Sequence, residues 1–310
     1  MQAKEELAKS IPDKETLLTI GVFDGVHLGH QHLLTHLRQH AQKENLLSGV
    51  VTFRSHPQTV ISPESKLPWL NNLDERIGLL QGLGIDIIVA LTFTPELAKL
   101  SAREFIQLLK DHLRMRGLII GPDFALGKNR EGDVSRLRLL GKEMGFSVEV
   151  AKPLTADDEV ISSTTIRQAL ARGNVKRVEK LIGRPFSLSG QVVPGDKRGR
   201  LLGFPTANLD TTPEQALPHD GVYATIAYIN HKQMPSVTNI GVRPTFGGGK
   251  RVVEVYLLDY KGQSYGEKLK IDLVDKLRDE MHFNATEELK AQIERDVEQA
   301  IIILEKRISQ

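Results

Sequence analysis

The chain has 310 residues, with 41 Lys+Arg against 39 Asp+Glu (net charge +2), 40% hydrophobic residues and no cysteine. That length suggests two domains of ordinary size. The apolar content excludes bulk disorder, the charge balance excludes a protein that coats nucleic acid by neutralising phosphates, and the missing thiols exclude disulfides, Fe–S clusters, thiolate zinc sites and cysteine nucleophiles. No run approaches the ~18 apolar residues of a bilayer span. Met1–Lys14 is charged and lacks the apolar centre of a secretory signal. The expectation is a cytoplasmic protein working on small molecules, with no nucleic acid, membrane or obligate protein partner.

In chain order, the first half alternates strand-like and helix-like segments. Leu17–Phe23 reads as a strand buried on both faces, followed by Leu33, Leu34, Leu37 and Ala41 at helical spacing. Ser48–Phe53 and Asp86–Phe93 read as strands, with a helix over Asp74–Leu83 between them. Ser101 and Glu104 form a capping box that opens a helix to about Arg114. Leu118–Gly121 is a brief strand, Asp133–Met144 a helix and Ser147–Ala151 another strand. Such alternation implies a doubly wound parallel sheet, an α/β fold of Rossmann-like type.

After about Gly183 the texture changes. Strand-like runs at Phe186–Val193, Gly221–Ile229, Gln233–Ile240, Val252–Asp259 and Lys268–Val274 are separated by turn residues: Pro194-Gly195, Asn230-His231, Gly247 to Gly249 and Lys261-Gly262. This is the pattern of a small antiparallel barrel or sandwich. A closing helix is expected with Asn284 as N-cap and Glu287 three residues on. Its apolar stripe is Leu289, Ile293, Val297, Ile301 and Leu304, which should pack on the barrel. The domain boundaries are set at 1–183 and 184–310.

Residues 21–30 read Gly-Val-Phe-Asp-Gly-Val-His-Leu-Gly-His. A strand ends near Phe23, glycines break it, and a helix starts near Gly29. This is the turn at the carboxyl end of a parallel strand where doubly wound folds bind ligands. N–H groups at the helix start favour a phosphate. His27 and His30 can donate hydrogen bonds to phosphate oxygens as charge builds in a transition state. Gly21, Phe23, Asp24, Gly25 and Gly29 complete the candidate nucleotide pocket. A second segment, Ile161-Ser-Ser-Thr-Thr-Ile-Arg167, precedes a helical run; Ser163 can cap it, Thr164 adds a hydroxyl and Arg167 a fixed cationic fork.

The two motifs together resemble the nucleotidyltransferase superfamily, and the longer string resembles the bacterial FMN adenylyltransferase module. Gly121 to Gly127 is similar to that family's flavin-side segment, with Asp123 at its polar position. The resemblance implies attack of the FMN phosphate on the α-phosphate of ATP, giving FAD and pyrophosphate without a covalent enzyme intermediate. Arg54, within Thr52-Phe-Arg-Ser-His-Pro57, and Thr165 depart from the family pattern.

Residues 195–208 read Gly-Asp-Lys-Arg-Gly-Arg-Leu-Leu-Gly-Phe-Pro-Thr-Ala-Asn. Gly195, Gly199 and Gly203, with basic residues including Lys197 and Arg200, make a cationic loop before a strand whose entry Pro205 fixes. Thr206 and Asn208 stand two apart on that strand, on one face, and offer hard oxygen ligands suited to Mg²⁺ beside ATP phosphates. Glu254 shares a strand face with Val252, Tyr256 and Leu258; a carboxylate on a partly apolar face has a raised pKa or a specific partner.

This stretch resembles the riboflavin kinase module, as do Val253 to Tyr256, Tyr265-Gly266 and Leu277 to Phe283. Similarity to the bifunctional bacterial riboflavin kinase/FAD synthetase family thus runs from about Thr16 to Ile303. It implies a Rossmann-like domain followed by a six-stranded Greek-key barrel, with riboflavin, ATP and FMN as substrates and FAD, ADP and pyrophosphate as products. It also implies Glu254 as the general base on the ribityl 5′-hydroxyl and places Arg278 in a loop near the flavin. The alternatives are a kinase-only enzyme with an impaired N-terminal domain and a flavin- or RNA-binding regulator without turnover.

Overall fold

The computed structural model describes the chain except residues 63, 65, 66, 158, 196–198, 200, 201, 231, 243–250, 261, 263, 264, 309 and 310. Lys197, Arg200, His231, Lys261 and the Gly247 to Gly249 turn therefore lie outside the described residues. The chain folds as two compact units, Met1–Ser163 and Thr164–Gln310.

The first unit contains, in order, α1 (Gln2–Ala8), β1 (Thr16–Ile20), α2 (Leu28–Lys43), β2 (Leu47–Phe53), α3 (Pro57–Ile61), α4 (Leu73–Gly82), β3 (Ile87–Leu91), α5 (Pro95–Ala98), α6 (Ala102–Leu113), β4 (Met115–Ile120), β5 (Ala125–Leu126), β6 (Gly132–Asp133), α7 (Val134–Met144), β7 (Ser147–Val150), β8 (Thr155–Ala156) and β9 (Glu159–Val160). Five strands form one parallel sheet in the order β3-β2-β1-β4-β7. Both sheet faces are covered, because alternate residues face opposite ways. Leu17, Val50 and Ile119 pack with Leu34, Leu37 and Ala41 of α2 and Leu80 of α4. Leu18, Ile20, Val51, Leu118 and Ile120 pack with Leu7 of α1, Ile106 and Leu109 of α6 and Leu137 of α7. The capping box at Ser101 and Glu104 opens α6, and Arg114 at φ +50° ends it.

The second unit holds α8 (Ser163–Ala171, whose first residue counts with the first unit), α9 (Val175–Ile182), β10 (Phe186–Val193), β11 (Thr206–Asp210), β12 (Gly221–Ile229), β13 (Lys232–Val242), β14 (Arg251–Leu257), β15 (Lys268–Arg278) and α10 (Thr286–Ile308). The six strands close into an antiparallel barrel in the order β10-β11-β14-β13-β12-β15. Closure removes exposed strand edges. The helices α8 and α9 group with the barrel, which puts the packing division some twenty residues before Gly183. The buried residues Val175, Val178, Leu181 and Ile182 of α9 face β10 and β15.

The closing helix differs from expectation at both its start and its face. It begins at Thr286 rather than after an Asn284 cap. Its seam runs through Val297, Ala300, Ile303 and Leu304, while Ile301 is 38% exposed. Steps of three and four from Val297 through Ala300 to Leu304 keep to a 3.6-residue period, and Ile301 falls one residue, or about 100°, off that line. Ala300 and Leu304 pack against Val222, Ala224 and Ile226 of β12 and Val237 of β13.

Candidate active sites

The first site lies just beyond the carboxyl end of β1, where the strand order reverses toward β2 on one side and β4 on the other. This is the switch point at which doubly wound sheets leave a crevice. The connecting turn is strained: Phe23 has φ +52°, Gly25 +81° and the β-branched Val26 +39°. Such non-glycine conformations cost about 1–3 kcal/mol each and persist only where the surroundings over-determine them. Here the surroundings are identifiable. Asp24 is buried, and its Oδ1 accepts from the Leu70 N–H at 2.9 Å; the Gly25 N–H donates to Asn71 Oδ1 at 3.0 Å. The Ser163 hydroxyl donates to the Asp24 carbonyl at 3.0 Å. A Cβ at Gly25 would meet Leu70 Cδ1 at 2.9 Å, and one at Gly29 would meet the Ile161 carbonyl at 3.1 Å, so the two turns abut through glycine.

His27 is the N-cap of α2: its Nδ1 accepts from the His30 N–H at 3.3 Å. That acceptor role places the proton of the neutral ring on Nε2. The His27 and His30 rings stack with centroids 3.6 Å apart, and Phe23 meets His30 edge-on at 5.1 Å. Burial, then the charges of His27 and Arg76, holds the His30 imidazole well below its ordinary range. Its Nδ1 is buried with no hydrogen-bond partner among the described residues. Arg76 of α4 is 1% exposed; its guanidinium donates to the Val22 carbonyl at 3.0 Å and the Phe53 carbonyl at 2.7 Å and lies 4.5 Å from the Trp69 ring. Burial pulls its pKa down to about 10, while the nearby Asp24 carboxylate acts the other way. One buried cation thus ties together the ends of β1 and β2 beside the histidines.

The second site lies on the outer face of the barrel. Ala207, Leu209, Val253, Val255 and Leu257 are buried. Alternation puts Thr206, Asn208, Glu254 and Tyr256 on the opposite face. That face is outward, because Tyr256 pairs with Val237 and Val237 packs on α10. Asn208 of β11 sits directly opposite Glu254 of β14, and Glu254 opposite Asn239 of β13. Thr206 sits opposite Tyr256. Gly195 and Phe204, at the two ends of the loop before β11, lie against this row. A Cβ at Gly195 would lie 2.6 Å from Asn208 Cγ, so any other residue there pushes the Asn208 amide aside. The Leu202 and Phe204 N–H groups both donate to the Gly199 carbonyl (3.1 and 2.8 Å), Gly203 takes φ +91°, and Phe204 meets the Tyr256 ring edge-on at 5.5 Å.

Of the residues expected from sequence, Gly21, Phe23, Asp24, Gly25, His27, Gly29, His30 and Ser163 come together at the first site, and Gly195, Gly199, Gly203, Pro205, Thr206, Asn208 and Glu254 at the second. Thr164 is exposed and Arg167 half-buried, one and four residues along α8 from Ser163. Asp123 is exposed after β4; its backbone carbonyl accepts from Arg130 at 3.1 Å. Arg278 is engaged structurally: its Nε donates to both carboxylate oxygens of buried Asp296 on α10 at 3.0 Å, and its Nη1 to the Asp279 carbonyl. Sequence reasoning missed Asn71, Arg76 and Asn239. Asn71-Asn72 carried a faint signal, since only one of two adjacent asparagines can cap α4 and Asn72 does. Arg76 gave none, because an Arg after Asp-Glu in a first helical turn reads as a solvated face.

The family model described as FAD synthetase matches residues 9–165, and that described as riboflavin kinase matches residues 182–304. The chain is 41% identical over 287 residues to the bifunctional riboflavin kinase/FMN adenylyltransferase of Escherichia coli K12, covering 92% of this chain and 91% of the other. It is 39% identical to that of Haemophilus influenzae (91% and 92% covered) and 41% identical to that of Pseudomonas fluorescens (90% of each). Among solved structures, one described as a macrolide-efflux protein from Streptococcus pneumoniae superposes with a TM-score of 0.87 at 30% identity over 96% of each chain. Among the described residues of this chain, no helix is long and apolar enough to cross a membrane.

Proposed function

Because the chain belongs to the family of bifunctional riboflavin kinase/FMN adenylyltransferases, phosphorylating riboflavin in its C-terminal part and adenylylating FMN in its N-terminal part, we propose how its residues divide that work. Both halves carry their family match, which decides against the kinase-only alternative.

In the N-terminal part, an FMN phosphate oxygen attacks the α-phosphorus of ATP and pyrophosphate leaves. His27 and His30 at the start of α2 donate to the phosphate oxygens as negative charge builds there. What supports this is that His30 is kept neutral and its buried Nδ1 lacks a partner among the described residues. A neutral stacked pair can donate without the mutual repulsion of two imidazolium ions. Gly21, Phe23, Asp24, Gly25 and Gly29 shape the ATP pocket, with Ser163, Thr164 and Arg167 adding phosphate contacts, and Asp123 serving the flavin. Rate enhancement is by positioning and charge stabilisation.

In the C-terminal part, the riboflavin 5′-hydroxyl attacks the γ-phosphorus of ATP and ADP leaves. Glu254 takes the hydroxyl proton. Thr206 and Asn208 fit Mg²⁺: a hydroxyl and an amide oxygen are hard ligands on one strand face. When bound, the ion would neutralise phosphate charge. Gly195, Lys197, Gly199, Arg200, Gly203 and Pro205 form the loop that holds the ATP phosphates. Arg278 acts on the flavin side through the strand end it anchors to α10. The observation that supports this reading is the pairing of Asn208, the proposed metal ligand, directly opposite Glu254, the proposed base.

The test is conversion of riboflavin with ATP and Mg²⁺, flavins being resolved by chromatography. Wild type should give FMN and FAD. His30→Ala should lose FAD formation by about 10²–10³-fold and keep FMN formation. Glu254→Gln should slow FMN formation by about 10²–10⁴-fold yet still adenylylate supplied FMN. Unchanged rates in either variant refute that assignment.

A further inference from the structure

The first unit carries a second histidine cluster, away from the His27–His30 pair. His36 and His40 stand one turn apart on α2, with ring centroids 4.2 Å apart. Glu149 comes from β7, the edge strand of the sheet. It pairs in register with Ile119, whose side chain packs among Leu34, Leu37 and Ala41, so Glu149 rises on the face that α2 covers. His36 Nε2 lies 2.6 Å from one carboxylate oxygen and His40 Nδ1 2.9 Å from the other. One ligand-capable atom from each of the three residues falls within 4.8 Å of the others. All three side chains are 31–42% exposed, so the cluster is open to solvent on one side.

We propose that His36, His40 and Glu149 form a binding site for a divalent transition-metal ion of the Zn²⁺ class. Two imidazoles at i and i+4 on one helix face present their nitrogens to a common point, the spacing that helical zinc motifs use. A carboxylate completes a three-residue set, leaving a position for water. Imidazole nitrogen selects Zn²⁺, Cu²⁺ or Ni²⁺ over Mg²⁺, which prefers all-oxygen ligation. The site is therefore chemically distinct from the Thr206–Asn208 pair and does not compete for the Mg²⁺ that the kinase reaction would use. The ion would bridge a helix to an edge strand that, among the described residues, pairs only with β4. Its consequence is a clamp: α2, which begins at His27 and His30, becomes fastened at its middle to the rim of the sheet. Binding to the folded form alone raises stability by mass action.

The full-length protein, stripped with EDTA, is titrated with Zn²⁺ by calorimetry at neutral pH in excess Mg²⁺. Co²⁺ is then added separately to read its visible d–d absorption. Wild type should bind one Zn²⁺, develop Co²⁺ bands and melt at higher temperature with Zn²⁺ than without. Glu149→Gln should weaken binding at least tenfold, and His36→Ala with His40→Ala should abolish it. His30→Ala should bind as wild type does. The partly exposed positions tolerate truncation, and melting of the metal-free variants checks that they fold. Failure of wild type to bind Zn²⁺, or equal binding by the His36/His40 variant, overturns the proposal and leaves the cluster as an ion-pair clamp alone. Loss of binding in His30→Ala with retention in the cluster variants overturns it as well, by moving the ion to the other histidine pair.

Discussion

Gly195→Ala isolates the geometry of the kinase site from its chemistry, because it adds one methyl group and removes no functional atom. The added Cβ would lie 2.6 Å from Asn208 Cγ and 2.8 Å from Oδ1, against the roughly 3.4 Å of ordinary contact. Asn208 Nδ2 lies nearer still, so the amide must retreat by up to about 1.4 Å, which the terminal group of a side chain can do. A misplacement of about 1 Å in a positioned group costs about 10²-fold in rate. FMN formation should thus fall by about a hundredfold. The fold should not suffer: Gly195 has no positive φ. Alanine at a compatible loop position stabilises by about 0.4–1 kcal/mol through the unfolded chain. The assay is riboflavin phosphorylation at saturating ATP, with FAD formation from supplied FMN and thermal melting as internal controls. Normal FMN formation by a well-folded Gly195→Ala protein would refute the claim that the loop crossing positions Asn208 for catalysis.

The depressed pKa of His30 gives a pH signature. The unfolded ring protonates near 6.5 while the folded ring stays neutral, so the unfolded state binds more protons below that pH. Stability should therefore fall as the pH drops from about 6.5, by up to about 1.4 kcal/mol per pH unit. Melts at pH 7.5 and 5.5 should differ more for wild type than for His30→Ala, and equal differences would count against a neutral buried ring. Arg76→Met should destabilise the first unit by about 2–4 kcal/mol, since it strands the Val22 and Phe53 carbonyls. Denaturant unfolding should show this together with loss of FAD synthesis, and a neutral effect would mean that water replaces the guanidinium. Finally, a Thr164–Gln310 fragment should fold and phosphorylate riboflavin, whereas Arg184–Gln310 should melt far lower or precipitate. The shorter piece lacks Val175, Val178, Leu181 and Ile182, each at most 3% exposed and worth about 1.5–3 kcal/mol, and it lacks Glu179, which pairs with Arg307 of α10. Circular-dichroism melts of equal midpoint would show that α9 contributes little to the barrel.

What could be read from the sequence was local. Strand and helix alternation, the capping box at Ser101, the glycine turn before His27 and the loop before Thr206 all rest on hydrophobic period and turn chemistry within a few residues. Each was therefore legible without knowing the fold, as was the common face of Thr206 and Asn208. The resemblance of those same local strings to known families carried the two activities. Tertiary structure decided what depends on register and closure. A strand's residues do not say which partner lies opposite, so the alignment of Asn208 with Glu254 and Asn239 emerged only when β11, β14 and β13 paired. Arg76 looked like a solvated helix residue until the ends of β1 and β2 supplied it with buried carbonyls. The attachment of α8 and α9 to the barrel, and of Glu149 to the α2 face, likewise followed from how distant segments shared a core. Local patterns fix which face of an element is apolar. Only the packed chain fixes which other face it meets, because that choice is made by the sum of burial over segments far apart in sequence.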